Sequence, residues 1–84
     1  MSDNIHPTGR QIAAARVLAG LAQSDLAARA NISVPTLRRM EASDSHATGL
    51  PNNVAAVVSA LTAAGVEFIP QNGGGPGVRL KARD

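Results

Sequence analysis

The stretch "QSDLAARANISVPTLRRMEAS", residues 23–43, decides the fold of this chain. Two short helical segments flank Asn31, and asparagine tolerates the left-handed conformation that a tight turn requires. Ser33 is well suited to cap the second segment, and Pro35 falls in its first turn, where the missing N–H costs nothing. The pattern therefore predicts a turn between two helices, over residues 23–30 and 34–42.

The second of these helices has two different faces. At about 100° per residue, one side carries Val34, Leu37, Met40 and Glu41. The other side carries Pro35, Arg38, Arg39 and Ala42. The adjacent arginines are thus free to form a solvated surface, a partner-binding face, or a surface that meets phosphates and bases.

A further helix is expected on each side of this pair. Thr8 and Gln11 fit a capping box that opens a helix over 9–19, and Gly20 is a suitable C-cap. The apolar residues available for packing in this helix are Ile12, Ala15, Val17, Leu18 and Ala19. In the helix over 23–30, the inner positions are Leu26, Ala27 and Ala30. After a polar loop, helical spacing returns at Leu50, Val54, Val57, Val58 and Leu61, and Gly65 ends it.

The period of the pattern changes from 3.6 to 2 after Gly65. Residues 66–69 and 77–81 alternate around the turn-forming segment 70–77, which predicts a β-hairpin or two edge strands. Val66 and Phe68 are expected on one face, and Val78 and Leu80 on another. The predicted fold is mainly α, with four helices and this short C-terminal β segment. Its parts are an N-terminal arm (1–8), a helical domain (9–65) and a β segment with a basic tail (66–84).

Composition excludes several classes of function. The chain has 84 residues, no cysteine, a net charge of +2 and one aromatic residue, Phe68. Disulfides and thiolate metal sites are therefore excluded, and an aromatic platform for stacking single-stranded bases is not expected. No run of about 18 apolar residues predicts a membrane span, and residues 1–11 do not have the pattern of a secretory signal. A cytoplasmic protein is expected.

Little in the sequence points to an enzyme or a cofactor. The segment "NGGGPG" (72–77) lacks the Gly-Lys-Ser/Thr and the following helix of a phosphate loop, so a flexible turn is expected there. His6 and His46 fall in predicted loops, without a nucleophile–base–orienter set. With Asp3 and Asp44 they form no zinc pattern. We expect no catalysis, no metal and no cofactor.

The segment "LAQSDLAARANISVPTLRRME", residues 21–41, resembles the lambda-repressor/Cro-like (XRE) helix-turn-helix family. The family pattern runs roughly Leu-Ser-Gln-x-x-Leu-Ala-x-x-Ala-Gly-Val-Ser-x-x-Thr-Ile-x-x-x-Glu. Ala22 stands where the family usually has Ser or Thr, and Asn31 replaces the turn glycine. With the flanking helices, the resemblance extends over residues 9–64.

The resemblance implies roles for individual residues. Gln23 and Thr36 match positions that contact DNA phosphate, and Arg16 and Glu41 match an ion pair between the first and third helices. The positions that face the major groove are Val34, Pro35, Arg38 and Arg39. An arginine there can donate to O6 and N7 of guanine, whereas Val34 and Pro35 can only read thymine methyls or DNA shape. A phosphate contact by Arg16 is the alternative to its pairing with Glu41.

The implied function is a sequence-specific regulator of bacterial transcription, acting as a repressor, that binds double-stranded DNA and is nucleoid-associated when bound. A homodimer on a two-fold operator is expected, because one helix-turn-helix covers only a half-site. The predicted interface is made by Val66, Phe68, Ile69, Val78 and Leu80. The alternative is a protein-interaction module, such as an antitoxin whose C-terminal segment docks a toxin or another regulatory protein. Folding of the β segment onto its own fourth helix would instead leave a monomer.

Overall fold

The computed structural model describes residues 6–82, which form four helices followed by a β-hairpin. The helices are α1 (Gly9–Ala19), α2 (Gln23–Ala30), α3 (Val34–Glu41) and α4 (Pro51–Ala63), and the strands are β1 (Val66–Ile69) and β2 (Gly77–Leu80). This confirms the predicted mainly α fold with a short C-terminal β segment. Asp3 in the predicted arm and Arg83 in the predicted tail lie outside the described residues.

Local capping signals set the ends of the first three helices. The Thr8 hydroxyl accepts from the Gln11 backbone N–H at 3.0 Å, and the Gln11 side chain accepts from the Thr8 N–H at 2.9 Å, as a capping box requires. Gly20 and Asn31 end α1 and α2 in the left-handed conformation, with φ of 75° and 58°. Ser33 caps α3 through the Thr36 N–H. These features were all predicted.

Only one of the two side-chain bonds of a capping box is present at the N-terminus of α2. Ala22 has no side-chain acceptor, but the Asp25 carboxylate accepts from the Ala22 N–H at 3.1 Å. The negative charge of Asp25 in the first turn also suits the positive end of the helix dipole. Alanine is a poor N-cap residue, and Asp25 partly offsets the missing side-chain acceptor.

The core lies between the four helices and the inner face of the hairpin. Packed pairs of elements include α1 with α3, α2 with α4, α4 with β1, and α1 with both strands. The fully buried large side chains are Ile12, Leu26, Leu37, Met40, Val57, Leu61 and Val66. Because Val66 shares this core, the helices and the hairpin form one packed unit.

Three apolar residues predicted to pack are instead exposed. Val17 lies on the side of α1 opposite Ile12 and Ala15, and Leu18 lies at the edge of that face. Leu50 precedes α4 at its N-cap position and has 67% of its surface exposed. The predicted helical spacing started at Leu50, whereas the first residue of the helix is Pro51.

The two strands pair antiparallel, with Val66 opposite Leu80 and Phe68 opposite Val78. Directly opposed residues share a face, so these four side chains lie on one side of the sheet. The prediction that the two pairs occupy different faces was therefore wrong. The second strand ends at Leu80, one residue before the predicted end at Lys81. The Lys81 N–H still donates to the Gly65 carbonyl at 2.8 Å.

Gln11 joins the hairpin to the start of α1. Its side-chain NH₂ donates to the carbonyls of Ile69 and Gly77, at 3.3 and 3.0 Å, at the turn end of the two strands. Its carbonyl oxygen is already used in the capping box, so the whole amide is satisfied within the fold. Gln11 thus holds the two strands against α1.

None of the helices within residues 6–82 combines the length and apolar character needed to cross a bilayer.

Candidate nucleic-acid interface

α3 is divided into a buried side and an exposed side. Leu37 and Met40 are fully buried in the core, while Val34 and Glu41 are half-buried beside them. Pro35, Arg38 and Arg39 are exposed. The structure thus brings the predicted base-reading residues onto one exposed surface, except that Val34 packs partly against the core.

An ion pair joins α1 to this helix. The Nε and Nη2 of Arg16 donate to the two carboxylate oxygens of Glu41, at 2.8 and 3.1 Å. Only 19% of the Arg16 side chain and 7% of the Glu41 side chain are exposed. Arg16 also donates through Nη1 to the Leu21 carbonyl at 3.1 Å. All of these contacts are internal, so Arg16 acts as a link between α1, the α1–α2 loop and α3.

Gln23 connects the ion pair to the exposed surface. Its Nε2 donates to Glu41 Oε1 at 3.1 Å, and its Oε1 accepts from Arg38 Nε at 3.4 Å. Sequence reasoning matched Gln23 to a position that contacts DNA phosphate but missed both bonds. They join residues 15 and 18 positions apart, which no local pattern indicates.

Thr36 lies on the other side of α3 from Gln23. Its hydroxyl accepts from Ser33 Oγ at 2.8 Å and from Arg39 Nη2 at 3.5 Å. The Arg39 guanidinium therefore has one long contact within its own helix. Its remaining donors face no described protein partner, which leaves them available to a ligand.

Hydroxyl groups close the C-terminal end of α3. The Thr48 hydroxyl donates to the Arg39 carbonyl at 3.3 Å, and the Ser43 hydroxyl lies 3.4 Å from the same oxygen. They also bond one another at 3.1 Å. This holds the loop after α3 against the helix that carries the exposed arginines.

The N-terminus of α1 approaches the same end of α3 very closely. A Cβ added at Gly9 would lie 2.6 Å from the Ser43 carbonyl oxygen and closer still to that of Met40. The Gly9 N–H also donates to the Ser45 carbonyl at 3.1 Å. The approach depends on the missing side chain at Gly9, a requirement that sequence reasoning did not identify.

The two histidines lie together beside this loop, with ring centroids 5.9 Å apart and the rings nearly perpendicular. The described residues hold no group of three or more histidine, cysteine or acidic side chains that could enclose a metal ion. Nearby Asp44 is bonded to Arg10 at 2.9 Å. The histidine pair is therefore a contact between the arm and the loop at 44–47.

The comparisons with known proteins bear on the same part of the chain. A family model described as helix-turn-helix matches residues 12–50, a span that contains most of α1 and all of α2 and α3. A search of curated proteins gave no match. The matched span includes Gln23, the turn at Asn31 and the exposed arginines of α3. The match covers the segment that resembles the lambda-repressor/Cro-like (XRE) family, and it supports a helix-turn-helix of the kind found in DNA-binding regulators.

Proposed function

We propose that this protein is a sequence-specific regulator of transcription, acting as a repressor, that inserts α3 into the major groove of double-stranded DNA. The observation that carries the proposal is the exposed surface of α3 formed by Pro35, Arg38 and Arg39. The opposite side of the helix is fixed in the core by Leu37 and Met40. A helix held from behind in this way presents its outer side chains in a defined orientation, as base reading requires.

The charge of this surface also suits DNA. Arg38 and Arg39 make no ion pair with any described carboxylate, whereas Arg10, Arg16 and Arg79 each do. Their positive charge is thus not neutralised within the fold, and release of counterions from DNA would favour binding. Gln23 and Thr36, next to these arginines, are the proposed phosphate contacts. Such a role belongs in the bacterial cytoplasm, on the nucleoid.

The direct test is binding of the full chain to a pool of fluorescent duplexes with a random central sequence, followed by selection of the tightest binders. We expect one preferred sequence to emerge. Arg39→Ala should abolish preference at one or more base pairs, each worth about 1–3 kcal/mol of discrimination. Arg29→Ala is the matched control, because Arg29 is an exposed arginine in the last turn of α2 and is not part of the exposed surface of α3. Equal preference in both variants would contradict major-groove reading by α3.

We also propose that the protein binds its operator as a homodimer through the hairpin. Leu80 has 52% of its surface exposed, and Phe68, Ile69 and Val78 are half-buried. The strands form a two-stranded sheet, so each has an outer edge where a second chain could add hydrogen bonds. Val66, in contrast, is fully buried within its own chain and cannot contact a partner without unfolding.

The competing arrangement is a monomer in which α1 and α4 alone cover the hairpin. The hairpin does pack on these helices in the single chain, so it is not the isolated and marginal unit that would need a partner to fold. The folded hairpin also supports a simple regulator, because the C-terminal segment of an antitoxin would be expected to become ordered only when it binds a toxin. The dimer and the monomer differ in oligomeric state, which can be measured directly.

Two matched substitutions separate them. Leu80→Glu places a charge on the proposed interface, and Leu50→Glu places the same charge on an exposed leucine before α4. Light scattering should show a dimer for the unaltered chain and for Leu50→Glu, and a monomer for Leu80→Glu. A dimer that survives Leu80→Glu would place the interface elsewhere, and a monomeric unaltered chain would overturn the homodimer. Truncation before the hairpin is unsuitable, because it would remove Val66 from the core.

A further inference from the structure

The two adjacent arginines of α3 occupy opposite edges of its exposed surface. At 100° per residue, Pro35 and Ala42 lie at the centre of that surface, with Arg38 and Arg39 about 50° to either side. Arg38 lies on the edge shared with Glu41, which is bonded to Gln23 of α2. Arg39 lies on the edge shared with Thr36, to which it is bonded. The arginines therefore have different neighbours despite being consecutive.

The hydrogen bonds around Gln23 fix the orientation of its amide. The Glu41 carboxylate can only accept, so the NH₂ group of Gln23 must face it. The carboxylate is itself held by two bonds from Arg16. The amide oxygen of Gln23 consequently points to the other side, where it accepts from Arg38 Nε.

This chain of bonds restrains Arg38 and leaves Arg39 comparatively free. With Nε engaged by Gln23, Arg38 keeps its two terminal nitrogens as donors, beside the N-terminus of α2. In a helix-turn-helix complex the helix before the recognition helix crosses the DNA backbone, so that edge of α3 is the one nearest to a phosphate. A guanidinium with two parallel donors matches the oxygens of a phosphate.

We propose that Arg38 binds a DNA phosphate together with Gln23, and that Arg39 is the only one of the two arginines that reads a base. This rests on the proposed function, and it alters the assignment of Arg38 as a base reader. Gln23 then has two roles, since it contacts the phosphate and positions the Arg38 guanidinium. The specificity of α3 is confined to Arg39 and the apolar surfaces of Pro35 and Val34.

The test compares the unaltered chain with Arg38→Ala and Arg39→Ala on the duplex selected from the random pool and on its single-base variants. Arg38→Ala should weaken binding to all duplexes by the same factor and leave the order of preference unchanged. It should also reduce the slope of log affinity against log salt by about 0.9, the contribution of one phosphate contact. Arg39→Ala should instead flatten the preference at one base-pair position. Arg29→Ala controls for loss of charge alone and should keep both the slope and the preference.

A double-mutant cycle tests the positioning by Gln23. If Gln23 orients Arg38, then Arg38→Ala should cost a smaller factor in the Gln23→Ala background than in the unaltered chain. Additive effects would overturn the positioning role. The melting temperature of Arg38→Ala should match that of the unaltered chain, since the side chain is exposed.

The remaining outcomes separate the two proposals. If the unaltered chain binds no duplex, or selects no sequence, the proposed function fails and Arg38 has no phosphate to bind. If the unaltered chain selects a sequence but Arg38→Ala changes the preference at one position, Arg38 is a base reader and only the present inference is overturned. An unchanged affinity and salt slope for Arg38→Ala would likewise overturn it.

Discussion

Two arginine–carboxylate pairs in this domain have the same shortest distance but different surroundings. Arg16 and Glu41 join α1 to α3, and Arg79 and Glu67 join the two strands of the hairpin, each at 2.8 Å. The first pair has 19% and 7% of its side chains exposed, and the second 65% and 44%. Water screens the charges of the second pair. In the first pair each charge is largely removed from water, so it depends on the opposite charge of its partner. Distance alone therefore says little about what either pair contributes.

The comparison extends to the regions that hold the pairs. The α1–α3 junction combines a buried ion pair with the close approach at Gly9, and it anchors the helix that carries the proposed DNA-binding surface. The hairpin is attached to the helices by Val66, by partly buried apolar residues and by Gln11. We expect substitutions at the junction to affect the whole fold, and those on the hairpin to act more locally.

The largest effect is expected from Glu41→Ala. It leaves the buried Arg16 guanidinium without its partner, which should cost about 3–5 kcal/mol in the free energy of unfolding. Thermal melting should show a fall of more than about 12 °C. Glu67→Ala, the same change in the exposed pair, is the control and should shift the midpoint far less. An unchanged midpoint for Glu41→Ala together with weakened DNA binding would show that Glu41 serves the interface rather than the fold.

Gly9→Ala should come next. The new Cβ would overlap the backbone carbonyls of Met40 and Ser43, which cannot move aside as a flexible side chain could. We expect a loss of about 1–3 kcal/mol in denaturant unfolding, the usual range for overpacking. Gly74→Ala is the control, because a Cβ there has no neighbour within 4 Å. Equal stability of the two variants would contradict the close packing of α1 on α3.

Gln11→Met tests the attachment of the hairpin. The substitution preserves much of the side-chain volume but removes the two bonds to the carbonyls of Ile69 and Gly77, and also the capping-box bond from the Thr8 N–H. At roughly 0.5–1.5 kcal/mol per bond, the two hairpin bonds should account for about 1–3 kcal/mol of the loss. Hydrogen exchange should accelerate most at the hairpin amides. Gln71→Met, on the exposed turn, should leave exchange unchanged, and the same result for Gln11→Met would show that apolar contacts alone hold the hairpin.

The smallest effect is expected from Glu67→Gln. The hydrogen bond from Arg79, and then its positive charge, hold the pKa of Glu67 below its ordinary value of 4.5. Because the pKa is lowered in the folded state, the stabilisation is present above 4.5 and is lost as the pH falls through the folded value. The unaltered chain should therefore melt slightly above Glu67→Gln at neutral pH, and the difference should vanish in acid. A difference that grows in acid would contradict the pairing.

The features that sequence patterns predicted are those set by residues close together in the chain. Thr8 with Gln11, Ser33, Gly20 and Asn31 act through backbone groups within a few positions, so the helix ends could be placed almost to the residue. The two exposed arginines followed from the helical period of α3 in the same way.

The remaining features depend on contacts between distant segments. No local pattern shows that Val66 enters the helical core, that Leu50 remains outside it, or that Gly9 must have no side chain. Gln11 is the one residue whose sequence position indicated such a contact. It lies on the same face of α1 as Ile12 and Ala15, where a polar side chain needs a buried hydrogen-bond partner. The bond from Arg38 to Gln23 required the relative placement of α2 and α3.

The central claim is that the exposed side of α3 meets DNA, with α2 beside it on the backbone. The most direct measurement is the change in backbone amide NMR signals when the full chain is titrated with the duplex selected from the random pool. The largest changes should fall within residues 23–42, at the start of α2 and along α3, and should exceed those in α4. Largest changes in α4 or the hairpin, with the signals of α3 unmoved, would contradict the claim.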